Sequence, residues 1–249
     1  MQIPKKITPD CLKDTIVEIR YSVNIPRELL SGYVLTVLSP LGFSYVPGQA
    51  PPGSFGFNIS LGQNQQVGFD IGNLSGLFLR NKVRVQLLDN AIMFNCLENN
   101  YIGWDSYIQT ILEVITVLRS KELVRLFNRV NVRYISEFKN VEIFKNIKGT
   151  VNIENTGLKS DDSYLRLVDE SQNIKTFVVL TNKGKRPAAP HTREIIETSL
   201  VDVNVFENFD PTSDINILAD KLNEVHFKQK EVFFGLISES FLTTLNPEY

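Results

Sequence analysis

The sequence predicts an α+β fold of two similar halves, each a curved antiparallel sheet packed on a long helix in the order strand, helix, strands, helix. Three observations predict it. Apolar residues alternate at residues 14–21 and again at 128–135, helical apolar stripes start at Trp104 and at Ile215, and short strand-like runs lie between. The halves divide at 1–122 and 123–249, and no Gly/Ser-rich linker lies near Lys121 and Glu122, so they are expected to pack as one compact unit. A half of about 125 residues is long enough to bury its own core.

In the first half, Val17, Ile19 and Tyr21 alternate with Glu18 and Arg20, the period of a half-buried strand. Pro26 is placed to open a helix, where its missing N–H costs nothing, with Leu29, Leu30, Tyr33, Val34, Val37 and Leu38 as the apolar stripe. Pro40 and Gly42 end it. Strand-like runs follow at 43–46, 55–61, 67–71 and 74–79, the first two separated by a Pro/Gly-rich loop at 47–53 that can serve as a partner-binding lip. Val83, Val85 and Leu87, then Ile92, Phe94 and Cys96, joined through Asp89 and Asn90, read as a β-hairpin. From Trp104 the period changes, and Ile108, Ile111, Ile115 and Leu118 mark an amphipathic helix. Asp105 near its start and Arg119 near its end suit the helix dipole.

The second half restarts the pattern. Residues 128–135 repeat the first strand, and the apolar segment 141–147 stands where the first helix stood. Strands are expected at 151–153, 164–168, 176–180 and 195–206. A last long helix opens near Asp210-Pro211-Thr212-Ser213, with Asp210 or Ser213 as N-cap and a stripe of Ile215, Leu218, Leu222, Val225, Val232, Leu236 and Ile237.

The chain is 43% hydrophobic and 22% charged with a net charge of −2, which excludes collagen, rod and disordered tail and gives no wholesale attraction to nucleic acid or anionic membrane. Its two cysteines, Cys11 and Cys96, and two histidines, His191 and His226, show no CxxC, HxxxH or HExxH spacing, so no metal or cofactor is expected. P-loop, GxSxG and GxGxxG strings are absent. No run approaches the ~20 apolar residues of a membrane span, and Met1–Lys6 leads into Thr8-Pro9-Asp10 without an apolar signal core, so the expected location is cytoplasmic.

Three strings together carry a resemblance: "TIVEIRY" shortly after "IPKKITPDCLKD", "FNRVNVRYISEF" directly after an amphipathic helix, and the C-terminal "LTTLNPEY". The chain resembles, over nearly its whole length, a sporadically distributed family of prokaryotic proteins of unknown function and of about this size. The central strand Val132-Arg133-Tyr134-Ile135 is close to the family's "LRYIN", with Ser136 where Asn is common. The resemblance implies no catalytic residues. Its patchy distribution implies mobile or phage-defence-associated loci.

The candidate site residues are basic. Arg20 and Arg133 occupy matching places in the two similar strands and can meet a shared anionic ligand or a buried carboxylate, with Glu18 as an available partner. Lys183, Lys185, Arg186 and Arg193 concentrate charge in the Gly/Pro-rich segment 182–193, read as a loop between strands that can clamp phosphate but lacks interleaved aromatics for stacking on single strands. Glu137 and Lys139 have the Glu-x-Lys spacing of a metal-dependent nuclease. Any alternating strand puts such a pair on one face, and a second acidic ligand has to come from Asp161 or Asp162. His226 reads as a helix-edge histidine.

Two expectations of function follow. The first is a non-enzymatic binding or adaptor protein acting with a protein partner from the same locus. The alternative is a sensor of a small anionic ligand or nucleotide. A divergent nuclease ranks below both. Binding of nucleic acid has weak support, and the oligomeric state is left open.

Overall fold

The computed structural model describes residues 2–22, 27–46, 59–61, 65–67, 76–88, 90–97, 101–149, 163–187 and 194–249. The strands are β1 (Leu12–Tyr21), β2 (Ser44–Tyr45), β3 (Ile59–Leu61), β4 (Gln65–Val67), β5 (Gly76–Arg80), β6 (Val83–Leu87), β7 (Ala91–Leu97), β8 (Phe127–Lys139), β9 (Ser163–Ser171), β10 (Ile174–Pro187) and β11 (Ile195–Thr212). The helices are α1 (Arg27–Leu38), α2 (Trp104–Ser120), α3 (Ile215–Leu236) and α4 (Glu239–Thr244).

Nine strands form one antiparallel sheet in the order β2-β5-β6-β7-β1-β8-β11-β10-β9, and β3 pairs with β4 alone. This corrects the expectation of two halves, each with its own sheet on a long helix. Among the described residues 45% lie in strands and 32% in helices, so the continuous sheet sets the architecture. The physical reason lies at its centre. β1 and β8 pair with each other, Val17 opposite Val132 and Ile19 opposite Val130. Separate sheets would leave both of these buried strands with an edge of unpaired N–H and C=O groups. The similarity of the halves also breaks at residues 141–147, where a single 3-10 turn, Ile143–Lys145, replaces a helix.

Strand alternation sorts the side chains to two faces. Val17, Ile19, Val130, Val132, Val201, Val203 and Val205 meet Ile111, Ile115 and Leu118 of α2 and Leu218, Leu222 and Val225 of α3 in one core. The alternate positions, among them Glu18, Asn95, Asn131, Arg133, Asp202 and Asn204, are buried on the other face.

The expected hairpin is present as β6–β7, in register from Val83–Cys96 to Leu87–Ile92. The helix at Trp104 is present as α2, turned so that Tyr107 and Val114 join its fully buried stripe. Gly42 ends the first helical segment at φ 81°, the left-handed conformation that favours glycine, and its N–H donates to the Ser39 carbonyl. Three boundaries differ. β11 runs on to Thr212, and Asp214 caps α3 by accepting from the Asn216 N–H at 2.8 Å. α3 ends at Leu236, leaving Ile237 buried just beyond it. Residues 182–187 continue β10 rather than opening a loop, because a bulge between Thr181 and Gly184 absorbs Lys183 and restores pairing up to Pro187–Ile195. Pro26, Asp89, the loop 47–53, the expected strand 151–153, and parts of the runs 55–61, 67–71 and 74–79 lie outside the described residues.

Candidate functional site

Among the described residues, the basic positions singled out in the sequence are not gathered into one site. Arg133 is buried and donates through Nε and a terminal nitrogen to both oxygens of Asp202, at 2.9 and 2.6 Å. Arg20 donates to Glu18 at 3.0 Å. The two arginines share the sheet face turned away from the helices, and each has its own carboxylate there. Arg129, directly opposite Arg20 in register, lies with its guanidinium 3.8 Å from the centre of the Phe206 ring. Lys183 sits in the β10 bulge, 3.6 Å from a carboxylate oxygen of Glu142. Lys185 is exposed two positions on. Arg186 holds a backbone position opposite Ile196, and Arg193 lies outside the described residues. Glu137 accepts from Lys13 at 3.2 Å while Lys139 is exposed. Asp161, Asp162 and His191 lie outside the described residues. Among the described residues no three His, Cys, Asp or Glu side chains cluster as metal ligands.

A cavity of about 430 Å³ opens on the helix face instead. Four segments wall it: residues 5–12, residues 101–104 entering α2, Tyr134 and Ser136 of β8, and the C-terminal part of α3. Local periodicity aims the side chains. Tyr134 and Ser136 are two apart on a strand and share a face. His226, Gln229, Lys230 and Phe233 follow the spacing i, i+3, i+4, i+7 and form one stripe of α3. Residues 5–8 are held against the C-terminal residues 245–248. Glu248 N–H donates to the Lys6 carbonyl at 2.9 Å and Thr8 N–H to the Leu245 carbonyl at 2.7 Å.

The lining is mostly aromatic. His226 stacks on Trp104, ring centroids 3.9 Å apart and planes 7° from parallel. The Trp104 indole N–H donates to Asn223 at 2.8 Å, which fixes the ring. Tyr101 and Tyr134 meet edge to face with their hydroxyls 2.7 Å apart. In such a pair one phenol donates and the other keeps a hydrogen to give. The Gln229 side-chain oxygen is buried and has no hydrogen-bond partner among the described residues.

The electrostatics disarm the obvious nucleophile. Burial, opposed in part by a hydrogen bond with Ser136, pushes the Cys11 thiol up to about 12. Burial, helped by the nearby charge of Lys230, lowers His226 to about 3. A reactive cysteine needs a lowered pKa and a cationic or basic neighbour. Here the thiol stays protonated and the imidazole neutral, and the ring stacks on tryptophan. Charges at the cavity are lopsided, with Lys5, Lys6 and Lys230 against Asp10. Lys5 donates to the Tyr249 carbonyl at 3.1 Å. Burial lowers the Lys230 pKa, so its ammonium gains from an anionic neighbour.

A second depression, about 650 Å³ between α1 and α2, is lined by aliphatic side chains such as Val37, Leu41, Val117 and Leu123 and contains none of the buried unpartnered polar atoms of the described residues.

Sequence reading missed the aromatic cavity. The available signal was the mixture on the α3 stripe, where His226 and Gln229 interrupt a run of buried positions. No described helix is long and apolar enough to cross a membrane. The chain matches no family model and no curated protein.

Proposed function

We propose that this chain is a non-catalytic binding protein whose aromatic cavity receives a small planar anion carrying an N–H or O–H donor. The observation that carries the reading is Gln229, a residue of the wall of a cavity large enough for a ligand, whose side-chain oxygen is buried and has no partner among the described residues. Ligand pockets run from about 300 to 1,000 Å³ and are mostly apolar with a few convergent polar groups. An unmade buried hydrogen bond costs about 1–3 kcal/mol, which a ligand donor would recover. Trp104, Tyr101, Tyr134 and His226 suit a flat ring. Lys6 and Lys230 suit its negative group. This is the small-anion reading with the cavity lysines, and not Arg20 or Arg133, in the anion-binding role.

Trp104 is the one tryptophan in the sequence, so its fluorescence reports on this cavity alone. Titration with 4-hydroxybenzoate and with adenosine 5′-monophosphate is expected to give a saturable emission change with at least one of them. Lys230→Ala should weaken that binding roughly tenfold, the size of a lost charge-assisted hydrogen bond. A flat titration with both probes to millimolar concentration, in fluorescence and in calorimetry, overturns the proposal.

A further inference from the structure

The two edges of the large sheet differ. One ends on β2, two residues long; the other ends on β9, nine residues long and paired to β10 without a register break. Among the described residues nothing pairs with the outer edge of β9. A long, regular edge strand offers a row of unpaired N–H and C=O groups to another strand, and proteins blunt such edges with proline, charged side chains (lysine above all), bulges or short length; β9 has three charges, Arg166, Asp169 and Glu170. β9 reads Ser-Tyr-Leu-Arg-Leu-Val-Asp-Glu-Ser and has no proline, glycine or lysine. Its apolar side chains are also uncovered: Tyr164 is 43% exposed, Leu167 44% and Val168 51%.

Charge identifies the occupant. Arg166, Val168 and Glu170 are alternate residues and share one face of β9. Glu170 meets Lys175 of β10 at 2.8 Å, whereas Arg166 makes no ion pair among the described residues and lies 5.3 Å from the Phe177 ring. A two-fold axis perpendicular to an antiparallel strand pair must pass beside a residue facing its own copy. An axis at Val168 sets Arg166 opposite the partner's Glu170, Val168 opposite the partner's Val168, and Glu170 opposite the partner's Arg166. An axis one residue earlier, at Leu167, sets Arg166 opposite valine and leaves its charge unmatched.

We propose that a second copy of this chain pairs with β9, antiparallel and centred on Val168, to extend the sheet across a dimer. The observations are independent of the aromatic cavity. The pairing is a specific form of the protein-partner expectation, with this chain as its own partner.

Sedimentation equilibrium of the full chain tests it. The wild type is expected to be dimeric at tens of micromolar. Arg166→Glu and Glu170→Arg each put two like-charge pairs into the symmetric ladder, and each should weaken dimerisation about tenfold or more. The double variant Arg166→Glu with Glu170→Arg restores opposite charges and should recover the dimer. Both positions are exposed, so circular dichroism is expected to be unchanged in all three variants. A monomeric wild type overturns the proposal. So does a dimer indifferent to the single changes, or one that the double change fails to restore.

Discussion

The imidazole of His226 lies flat on the indole of Trp104, 3.9 Å between ring centres, and burial holds its pKa at about 3. An unfolded chain protonates the same histidine near its ordinary value of 6.5. Between those values acid favours the unfolded state, so His226 contributes stability that is full above pH 6.5 and is lost progressively toward pH 3. The slope reaches at most about 1.4 kcal/mol per pH unit. His226→Phe keeps a ring against Trp104 and removes the titration. Urea unfolding at stepped pH should show a shallower acid loss in that variant than in the wild type. Parallel profiles would refute the buried, neutral histidine.

The buried side-chain oxygen of Gln229 has no partner among the described residues. Replacing this side chain with an apolar group of similar size removes the desolvation cost of that amide oxygen. Gln229→Leu is expected to stabilise the free protein by about 1 kcal/mol, raising Tm by roughly 2–4 °C, and to weaken any ligand that donates to the amide oxygen. Calorimetric melting checks the first part. A lowered Tm would mean that the amide is satisfied in solution.

The ion pair of Arg133 and Asp202 is buried on the face away from the helices. Removing Asp202 takes from the buried Arg133 guanidinium both of its charge-assisted hydrogen bonds to that carboxylate, a loss of about 3–5 kcal/mol for Asp202→Ala. Arg133→Met with Asp202→Leu should be milder than either single change, because it removes both charges together. A double-mutant cycle from denaturant curves measures the coupling, and additive losses would contradict the close pair.

Cys11 and Cys96 are both pushed up by burial, to about 12 and about 11. At pH 8 both are thiols, and iodoacetamide should modify neither at an appreciable rate in the folded protein. Both should react fully in urea. Mass spectrometry after a timed pulse decides the matter, and rapid labelling of Cys11 in the native chain would revive a nucleophilic role.

Local periodicity made much of this molecule legible. The alternation in β1 and β8 and the 3.6-residue stripes of α2 and α3 follow from side-chain direction alone. Which strands lie side by side does not. β1 and β8 carry apolar residues on both faces, and nothing in either string says that each is the other's neighbour. The extension of β10 was hidden for a different reason. Gly184, Pro187 and the lysines have loop composition, while the bulge at Lys183 lets the ladder continue past them. The cavity needed tertiary structure outright. Trp104, Tyr134 and His226 come from three separate elements, and each by itself reads as an ordinary core aromatic or helix-edge residue.

The central pairing of Val17 with Val132 also governs how the chain reaches this state. During synthesis β1 emerges long before the strand that completes it, and β7 can cover just one of its sides meanwhile. A high proportion of distant pairings slows folding and lengthens the exposure of sticky intermediates. A nascent fragment stopping short of β8 therefore carries an open β1 flank with Ile16, Val17 and Ile19 on it, the feature that chaperones recognise and that drives precipitation when they are scarce.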